Sequence, residues 1–274
     1  MDHAFSTPTV VDLHVQIGAG TVTVTATDTD RTEVEVTGAR AEDVVVEQNG
    51  DRISVKERDV FRMFSTTRPV HVSVSVPTGS GLTSRMGSAS LRTHGRLGRC
   101  HLASGSGDVS LGDTGDLDVM TGSGDVSAQH VAGDLRAKTG SGDLSALDVS
   151  GSADAITGSG DLRLRTVGAG LTTKSGSGDV TVGRVGLDVS STSGSGDVEV
   201  GEVGRGVVTC RSASGDVTVG VSAGTPTWTD LHTVSGRLVQ ELESLGAPAE
   251  GQAHVELRIR TVSGRIRVRH VTPA

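Results

Sequence analysis

Residues 139–174 read TGSGDLSALDVSGSADAI and then TGSGDLRLRTVGAGLTTK, two 18-residue stretches that open with the same six residues. The Ser-Gly-Asp triplet of these stretches occurs seven times, at intervals of 17, 18, 18, 18, 18 and 19 residues. Its aspartates are Asp108, Asp125, Asp143, Asp161, Asp179, Asp197 and Asp216. Ser90-Leu91 marks a degenerate earlier member, and Ser-Gly-Arg replaces the triplet at Arg237 and Arg265. A fixed period of this kind indicates a repeat architecture.

Apolar residues alternate with polar ones inside each repeat. They occupy the first, third and sixth positions after the aspartate, as in Val180, Val182 and Val185, and two further positions before it. Alternation over three to five residues predicts short strands with one buried face. About five inward side chains cannot close a core, so each coil must stack on its neighbours. The sequence therefore predicts an all-β, single-stranded β-helix, a β-solenoid with about 18 residues per coil.

The Gly-Ser-Gly-Asp segment is expected to form the corner of each coil. We expect its glycines to supply positive φ angles, and its serine and aspartate side chains to accept hydrogen bonds from unpaired amides. The stacking places seven carboxylates in one column, where neighbours ~4.8 Å apart repel by just under ~1 kcal/mol in water. Backbone hydrogen bonds, basic neighbours such as Arg163, or bound cations must offset this repulsion.

The regions on either side of the repeat lack its strict period. We divide the chain into an N-terminal β-rich cap (1–80), the regular solenoid (81–220) and irregular C-terminal coils (221–274). Asn49-Gly50 predicts a β-hairpin in the cap, and Phe61, Met63 and Phe64 are expected to pack there or to touch a partner. The segment Gln240–Gly246 is compatible with a short helix or a continuing strand.

The C-terminal end carries two arginine-rich strands, His254–Arg260 and Arg265–His270. Their outward residues would be Arg258, Arg260, Arg265, Arg267 and Arg269. Two interpretations remain open for these arginines. They form a contact surface for an anionic partner, or they guard the last coil against edge-to-edge pairing with another chain.

Composition and spacing argue against several classes of function. The net charge of −8 predicts no general attraction to nucleic acid or anionic lipid. Cys100 and Cys210 fall on inward positions six coils apart, too far for a disulfide, and His94, His101 and Cys100 form no complete zinc set. A glycan-cleaving β-helix would need an irregular carboxylate cluster and aromatic platforms, whereas the chain has four aromatic residues. We therefore expect no catalytic residues, metal, cofactor or small-molecule substrate.

The sequence predicts no targeting or membrane-spanning segment. Residues 1–11 contain Asp2, His3 and Pro8 where a signal peptide needs a basic and then an apolar region. No run of ten apolar residues occurs, so no transmembrane helix is predicted. A cytoplasmic location without membrane association is the resulting expectation.

The strand-rich N-terminal region ends in VSVSVPTG (Val72–Gly79) and is followed by the repeated Gly-Ser-Gly-Asp units. In this combination, over roughly residues 10–270, the chain resembles the bacterial "putative adhesin" β-strand-repeat family. The family is also called toastrack, a domain of unknown function (number 4097). The resemblance implies a single-stranded β-helix, right-handed, with no established enzymatic activity and no catalytic residues to transfer.

Two functional hypotheses follow. The first is a non-catalytic cytoplasmic scaffold that acts through protein–protein contacts with an unidentified partner, including self-association through the solenoid ends. The alternative is an exported or surface adhesin that binds a cell-wall or carbohydrate ligand.

Overall fold

The computed structural model describes residues 1–58, 69–243 and 245–272 and contains two compact units, Met1–Asp143 and Leu144–Ala274. Both units are all-β and are built from two stacked sheets of short strands. This is the predicted β-solenoid architecture. The predicted handedness stays a prediction, as does the division at residues 80 and 220. The residues Phe61, Met63 and Phe64 lie outside the described part of the chain.

The first unit contains fourteen strands within its described residues. In chain order they are β1 (Asp2–Ser6), β2 (Asp12–Ile17), β3 (Gly20–Thr27), β4 (Arg31–Gly38), β5 (Val44–Asn49), β6 (Arg52–Glu57), β7 (Val70–Pro77), β8 (Gly81–Met86), β9 (Ser90–His94), β10 (Cys100–Ser104), β11 (Val109–Thr114), β12 (Leu117–Thr121), β13 (Val126–Val131) and β14 (Leu135–Thr139). One turn of 3₁₀ helix, Ala41–Asp43, precedes β5.

These strands form two sheets in which spatial order departs from chain order. The first sheet runs β1-β4-β7-β3-β9-β11-β13, and the second runs β5-β6-β2-β8-β10-β12-β14. Pairing is parallel except for β1 with β4, β4 with β7 and β5 with β6. The predicted N-terminal hairpin cap is therefore present as β5–β6. The irregular N-terminal segment also contributes the coils β2–β3 and β6–β7, which stack in parallel like the regular ones.

The second unit contains thirteen strands within its described residues. They are β15 (Leu144–Val149), β16 (Ala153–Thr157), β17 (Leu162–Val167), β18 (Leu171–Ser175), β19 (Val180–Val185), β20 (Val189–Ser193), β21 (Val198–Val203), β22 (Gly206–Ser212), β23 (Val217–Ser222), β24 (Thr227–Thr233), β25 (Leu238–Glu241), β26 (Val255–Thr261) and β27 (Ile266–Val271). The start of Gln240–Gly246 thus continues a strand, as one of the two interpretations proposed.

The C-terminal strands do not stack in the order in which the chain supplies them. The two sheets run β15-β17-β19-β21-β23-β27-β25 and β16-β18-β20-β22-β26-β24. The coil β26–β27 is therefore inserted between β22–β23 and β24–β25, with parallel pairing on both sides. We call β24 and β25 the terminal coil, because it is the outermost coil of this unit.

The core is a column of small apolar side chains with the predicted register. Leu144 pairs with Leu162, Leu162 with Val180 and Val180 with Val198, a step of 18 residues each time. The sixth-position valines, Val131, Val149, Val167, Val185 and Val203, are all at most 2% exposed. Because such side chains are narrow, the two sheets can approach closely without aromatic residues.

The corner glycines serve a different purpose from the predicted one. The glycines with positive φ in the described chain lie outside the Gly-Ser-Gly-Asp corners. A Cβ on Gly142 or Gly178 would instead lie 2.1 or 2.0 Å from the carbonyl oxygen of the corner glycine one coil earlier. Glycine is required here because successive corners stack backbone against backbone, leaving no space for a side chain.

Replacing Gly178 with alanine should therefore destabilise the fold by about 1–3 kcal/mol or more, since the new methyl group can be accommodated only by moving the backbone. Thermal unfolding followed by circular dichroism measures the effect. Ser177→Ala, at the exposed neighbouring position, is the control and should leave the melting temperature nearly unchanged. Equal melting of Gly178→Ala and wild type would contradict the close stacking of corners.

Candidate functional site

The corner carboxylates form a hydrogen-bonded column within each unit. In the first unit the amide of Asp143 donates to the carboxylate of Asp125 (2.9 Å). In the second unit the amide of Asp197 donates to Asp179 (2.9 Å), and that of Asp216 donates to Asp197 (2.8 Å). Asp125, Asp179 and Asp197 thus each accept a hydrogen bond from the backbone one coil further on. This satisfies amides that the corner would otherwise leave unpaired.

A second column of hydroxyl groups braces the same corners from the inside. Thr139 donates to the carbonyl of Gly142 (2.8 Å) and Ser193 to that of Gly196 (2.7 Å), and both hydroxyl-bearing residues are buried. Arg163 pairs with Asp161 at 2.6 Å on the outside. Backbone hydrogen bonds and a basic neighbour, two of the three expected compensations, therefore act on the carboxylates.

The column ends where arginine replaces aspartate. The amide of Arg265 donates to the Asp216 carboxylate (2.8 Å), but the arginine offers no carboxylate to the following coil. The main-chain ladder nevertheless continues, because the amide of Ile266 donates to the carbonyl of Arg237 (2.9 Å). Within the described residues no group of three or more His, Cys, Asp or Glu side chains is arranged to hold a metal ion. The aspartates are thus placed to support the coil corners.

Two substitutions of Asp179 separate the role of its carboxylate as a hydrogen-bond acceptor from the effect of its negative charge. Asp179→Ala removes the acceptor of the Asp197 amide and should lower the free energy of unfolding by about 1 kcal/mol. Asp179→Asn keeps an oxygen acceptor and removes one repelling charge, so it should be at least as stable as the alanine variant. Urea unfolding of the two variants compares them, and a less stable asparagine variant would contradict the hydrogen-bond role.

The two cysteines are buried, unpaired core residues. Burial raises the pKa of the Cys210 thiol to about 12, and it raises the pKa of Cys100 to about 12 against a smaller opposing effect of a backbone hydrogen bond. Cys100 points inward, whereas the neighbouring His101 is exposed, as expected from strand alternation. Neither thiol is available as a nucleophile in the folded protein, because its thiolate is too costly to form there.

Native protein at pH 8 should therefore react with a thiol-specific disulfide reagent far more slowly than unfolded protein, because both thiols remain protonated and enclosed. Absorbance of the released thiolate measures the two rates. Rapid native reaction of two thiols per chain would contradict this burial.

A charged groove lies on the outer face of the second sheet of the first unit, around Arg99, Asp116, Asp118 and Arg136. Arg99 and Asp116 form an ion pair at 2.9 Å. The hydrogen bond from Arg99, followed by one from the amide of Asp134, holds the pKa of Asp116 below its ordinary value. Opposite charges neutralise each other in this groove, so it resembles an ordinary solvated sheet face.

The five arginines predicted as a contact surface do not form one patch. Arg258 and Arg260 lie on β26 in one sheet, whereas Arg267 and Arg269 lie on β27 in the other. Three of the five pair with carboxylates: Arg258 with Glu256, Arg260 with Asp230 (3.5 Å) and Arg267 with Glu241 (3.1 Å). Since β26 and β27 are internal strands, the prediction that these arginines guard the last coil is wrong. The residues at the edge are those of the terminal coil.

The terminal coil is less enclosed than the coils beneath it. Its strand β24 pairs only with β26, and its strand β25 only with β27, among the described residues. The core-facing residues Thr227, Thr229 and Leu231 are half-buried, whereas their partners on β26 are fully buried. Five of the ten exposed large apolar residues in the described chain lie between residues 228 and 262: Trp228, Val234, Leu238, Leu245 and Val262.

Trp228, the only tryptophan of the chain, is 58% exposed and lines a groove of about 530 Å³. We call this the Trp228 groove; its walls are Pro226, Thr227, Trp228, Gly246, Ala247, Pro248, His254 and Glu256. A tryptophan this exposed is unusual for a soluble domain and typical of contact sites. One sequence signal could have located this site: the spacing of the corner triplets lengthens here. Asp216 and Arg237 are 21 residues apart, and Arg237 and Arg265 are 28 residues apart.

The described fold and its terminal coil define the class of protein as a β-solenoid with an open end. The profile of the family described as Toastrack DUF4097 matches residues 10–269, and the chain belongs to this family. A comparison with curated proteins finds no match.

Solved structures similar to this chain include three bacterial proteins. A "putative lipid binding protein" from Parabacteroides distasonis is 12% identical, with 99% of this chain and 96% of that one covered and a TM-score of 0.49. A "putative adhesin" from Parabacteroides merdae is 11% identical (99% and 95% covered, TM-score 0.41). A "putative adhesin" from Parabacteroides distasonis is 16% identical (97% and 96% covered, TM-score 0.38).

Proposed function

We propose that the chain is a non-catalytic β-solenoid scaffold that acts through protein contacts, including self-association at its terminal coil. The observation that carries this proposal is the open edge of β24 and β25, each of which is paired on one side only among the described residues. An edge strand presents unpaired backbone groups that can pair with another chain. Neither β24 nor β25 contains an arginine that would discourage such pairing.

The hydrogen bonds of β24 show which backbone groups face the free edge. The carbonyl of Pro226 accepts from Val255, and the amide of Val234 donates to Thr261, so the even-numbered residues between them face β26. Because successive residues of a strand point their backbone groups in opposite directions, Thr229 and Leu231 face away from β26. These residues supply the donors and acceptors for an incoming strand.

A non-catalytic role is supported by the state of the reactive groups. The corner carboxylates already accept from backbone amides, and burial raises the pKa of both thiols to about 12. For location we propose the cytoplasm, with which two buried, unpaired cysteines, Cys100 and Cys210, are compatible. Among the described residues no helix has the length and apolar character needed to cross a bilayer.

The alternative function, a surface adhesin for a cell-wall or carbohydrate ligand, is favoured by one observation. The exposed indole of Trp228 lies beside the polar groups of His254 and Glu256, an arrangement able to stack a sugar ring and bond its hydroxyls. Binding on a glycan array that is lost in Trp228→Ala, with native protein recovered at the cell surface, would establish this alternative.

Self-association can be tested by removing one amide at the open edge. Thr229→Pro deletes an amide that faces away from β26, so the fold should survive while association weakens about tenfold or more. Sedimentation velocity over a concentration series measures the association constant, with Thr229→Val, which keeps the amide, as the matched control. A monomeric wild type at all concentrations, or equal association of the proline variant, would contradict the proposal.

A further inference from the structure

The corners of the two outermost coils of the second unit differ in sequence from the other corners. Thr-Val-Ser-Gly-Arg occurs there twice, at residues 233–237 and 261–265, whereas an ordinary corner such as 193–197 reads Ser-Gly-Ser-Gly-Asp. Valine thus replaces the first corner glycine wherever arginine replaces the aspartate. The two valines, Val234 and Val262, are 70% and 55% exposed and add nothing to the core. Exposed apolar side chains that adjoin each other in this way are typical of a contact surface.

The four outermost corners of this unit form two parallel columns of side chains. Backbone hydrogen bonds join each corner to the next, as from the amide of Ser235 to the carbonyl of Val262 (2.9 Å). In order from the outermost corner, the first column is Val234, Val262, Ala213 and Gly194, and the second is Arg237, Arg265, Asp216 and Asp197. The first column therefore changes from large to small side chains at the point where the second changes from positive to negative charge.

The four charged side chains of the second column are available to another molecule. Among the described residues none of them takes part in an ion pair, and all except the half-buried Asp216 are exposed. Arg237 and Arg265 lie one coil apart, about 4.8 Å, so they repel each other as two stacked carboxylates do. Relief of repulsion within the aspartate column therefore does not account for two successive arginines.

These two columns are complementary to themselves. A two-fold axis that lies between two copies, perpendicular to the columns, reverses the direction of each column but keeps it opposite its own equivalent. With the axis midway between the second and third corners, each arginine of one copy faces an aspartate of the other, and each valine faces a small residue. The facing pairs are Arg237 with Asp197, Arg265 with Asp216, Val234 with Gly194 and Val262 with Ala213. Each pair occurs twice, and no like charges face each other directly, which is the complementarity that fixes the register of an interface.

We propose that two copies of the chain bind side by side and antiparallel through these four corners, forming an isologous dimer. This contact goes beyond the proposed function, because the corners and the free edge of β24 use different residues and can act independently. A two-fold contact closes on itself, so this surface alone gives dimers and not filaments. Four corners extend over only about 14 Å of the stack, so the dimer should be weak and should dissociate as salt screens its charges.

The first experiment restores the ordinary charge of the two outermost corners. Arg237→Asp/Arg265→Asp makes four successive corners acidic, so the contact would bring like charges together. Sedimentation velocity of the full chain at low salt should show dimerisation about tenfold or more weaker than in wild type. The control is Lys174→Asp/Arg211→Asp, which makes the same change in net charge at exposed positions of the second sheet and should dimerise like wild type. Equal dimerisation of the corner variant and this control overturns the proposal.

The second experiment separates shape from charge. Val234→Ser/Val262→Ser keeps every charge and alters exposed side chains only, so thermal melting should match wild type while dimerisation weakens about tenfold or more. Unchanged dimerisation of this variant overturns the proposal.

The third experiment uses complementation. Asp197→Arg/Asp216→Arg makes the same four corners basic, and it should form a heterodimer with Arg237→Asp/Arg265→Asp, although neither variant dimerises alone. The basic variant loses two corner hydrogen bonds, so thermal melting first establishes that it folds. Two folded variants that do not bind each other overturn the proposal.

The variant Thr229→Pro distinguishes this contact from association at the free edge of β24. If Thr229→Pro dimerises like wild type and Arg237→Asp/Arg265→Asp does not, the corner contact stands and the edge contact fails. The reverse result supports the edge contact and overturns this inference. A wild type that stays monomeric at all concentrations overturns both.

Discussion

Within each unit the structure depends on the hydrogen bonds that join the corner aspartates of successive coils. The carboxylate of one coil accepts from the amide of the equivalent aspartate one coil further on, as between Asp179 and Asp197. This bond can form only when the two coils are in register, so it helps to fix the pairing register of the strands in successive coils. The stacked glycines let the corners approach closely enough for the bond, and the buried hydroxyls hold each corner in shape. Mutual repulsion of the carboxylates is the cost of this device, and charge-assisted bonding to the backbone offsets it.

The regular part of this fold was readable from the sequence because its signals are local and repeated. Strand alternation and the inward position of residues such as Val149 and Cys210 both follow from the 18-residue period. The physical reason for the corner glycines was not readable, because it is a contact between residues 18 apart in neighbouring coils. A positive φ and a close backbone approach both require glycine, and only coordinates distinguish them.

The ends of the stack were predicted less well for a different reason. Sequence order suggested that the arginines of β26 and β27 lie at the end, whereas the structure inserts these strands beneath β24 and β25. Nothing in the local pattern of Arg258 or Arg267 indicates which neighbour their strand will have. Similarly, the irregular spacing of residues 1–80 suggested only a cap, although β2, β3, β6 and β7 form parallel coils. Coil order is a long-range property that the period does not encode where the period breaks.

The inserted coil has a consequence for the way the protein is made. The nascent chain leaves the ribosome with its N-terminus first, so β24 and β25 emerge before β26 and β27. In the described part of the fold β24 pairs only with β26 and β25 only with β27, so the outermost coil can take its place only after β26 and β27 have been synthesised. Coil-by-coil folding during translation therefore pauses after β23 until β26 and β27 have emerged. A nascent chain cut short after Glu241 but before β26 would therefore carry β24 and β25 without the strands that they pair with in this fold, and unpaired strands of this kind readily pair with other chains.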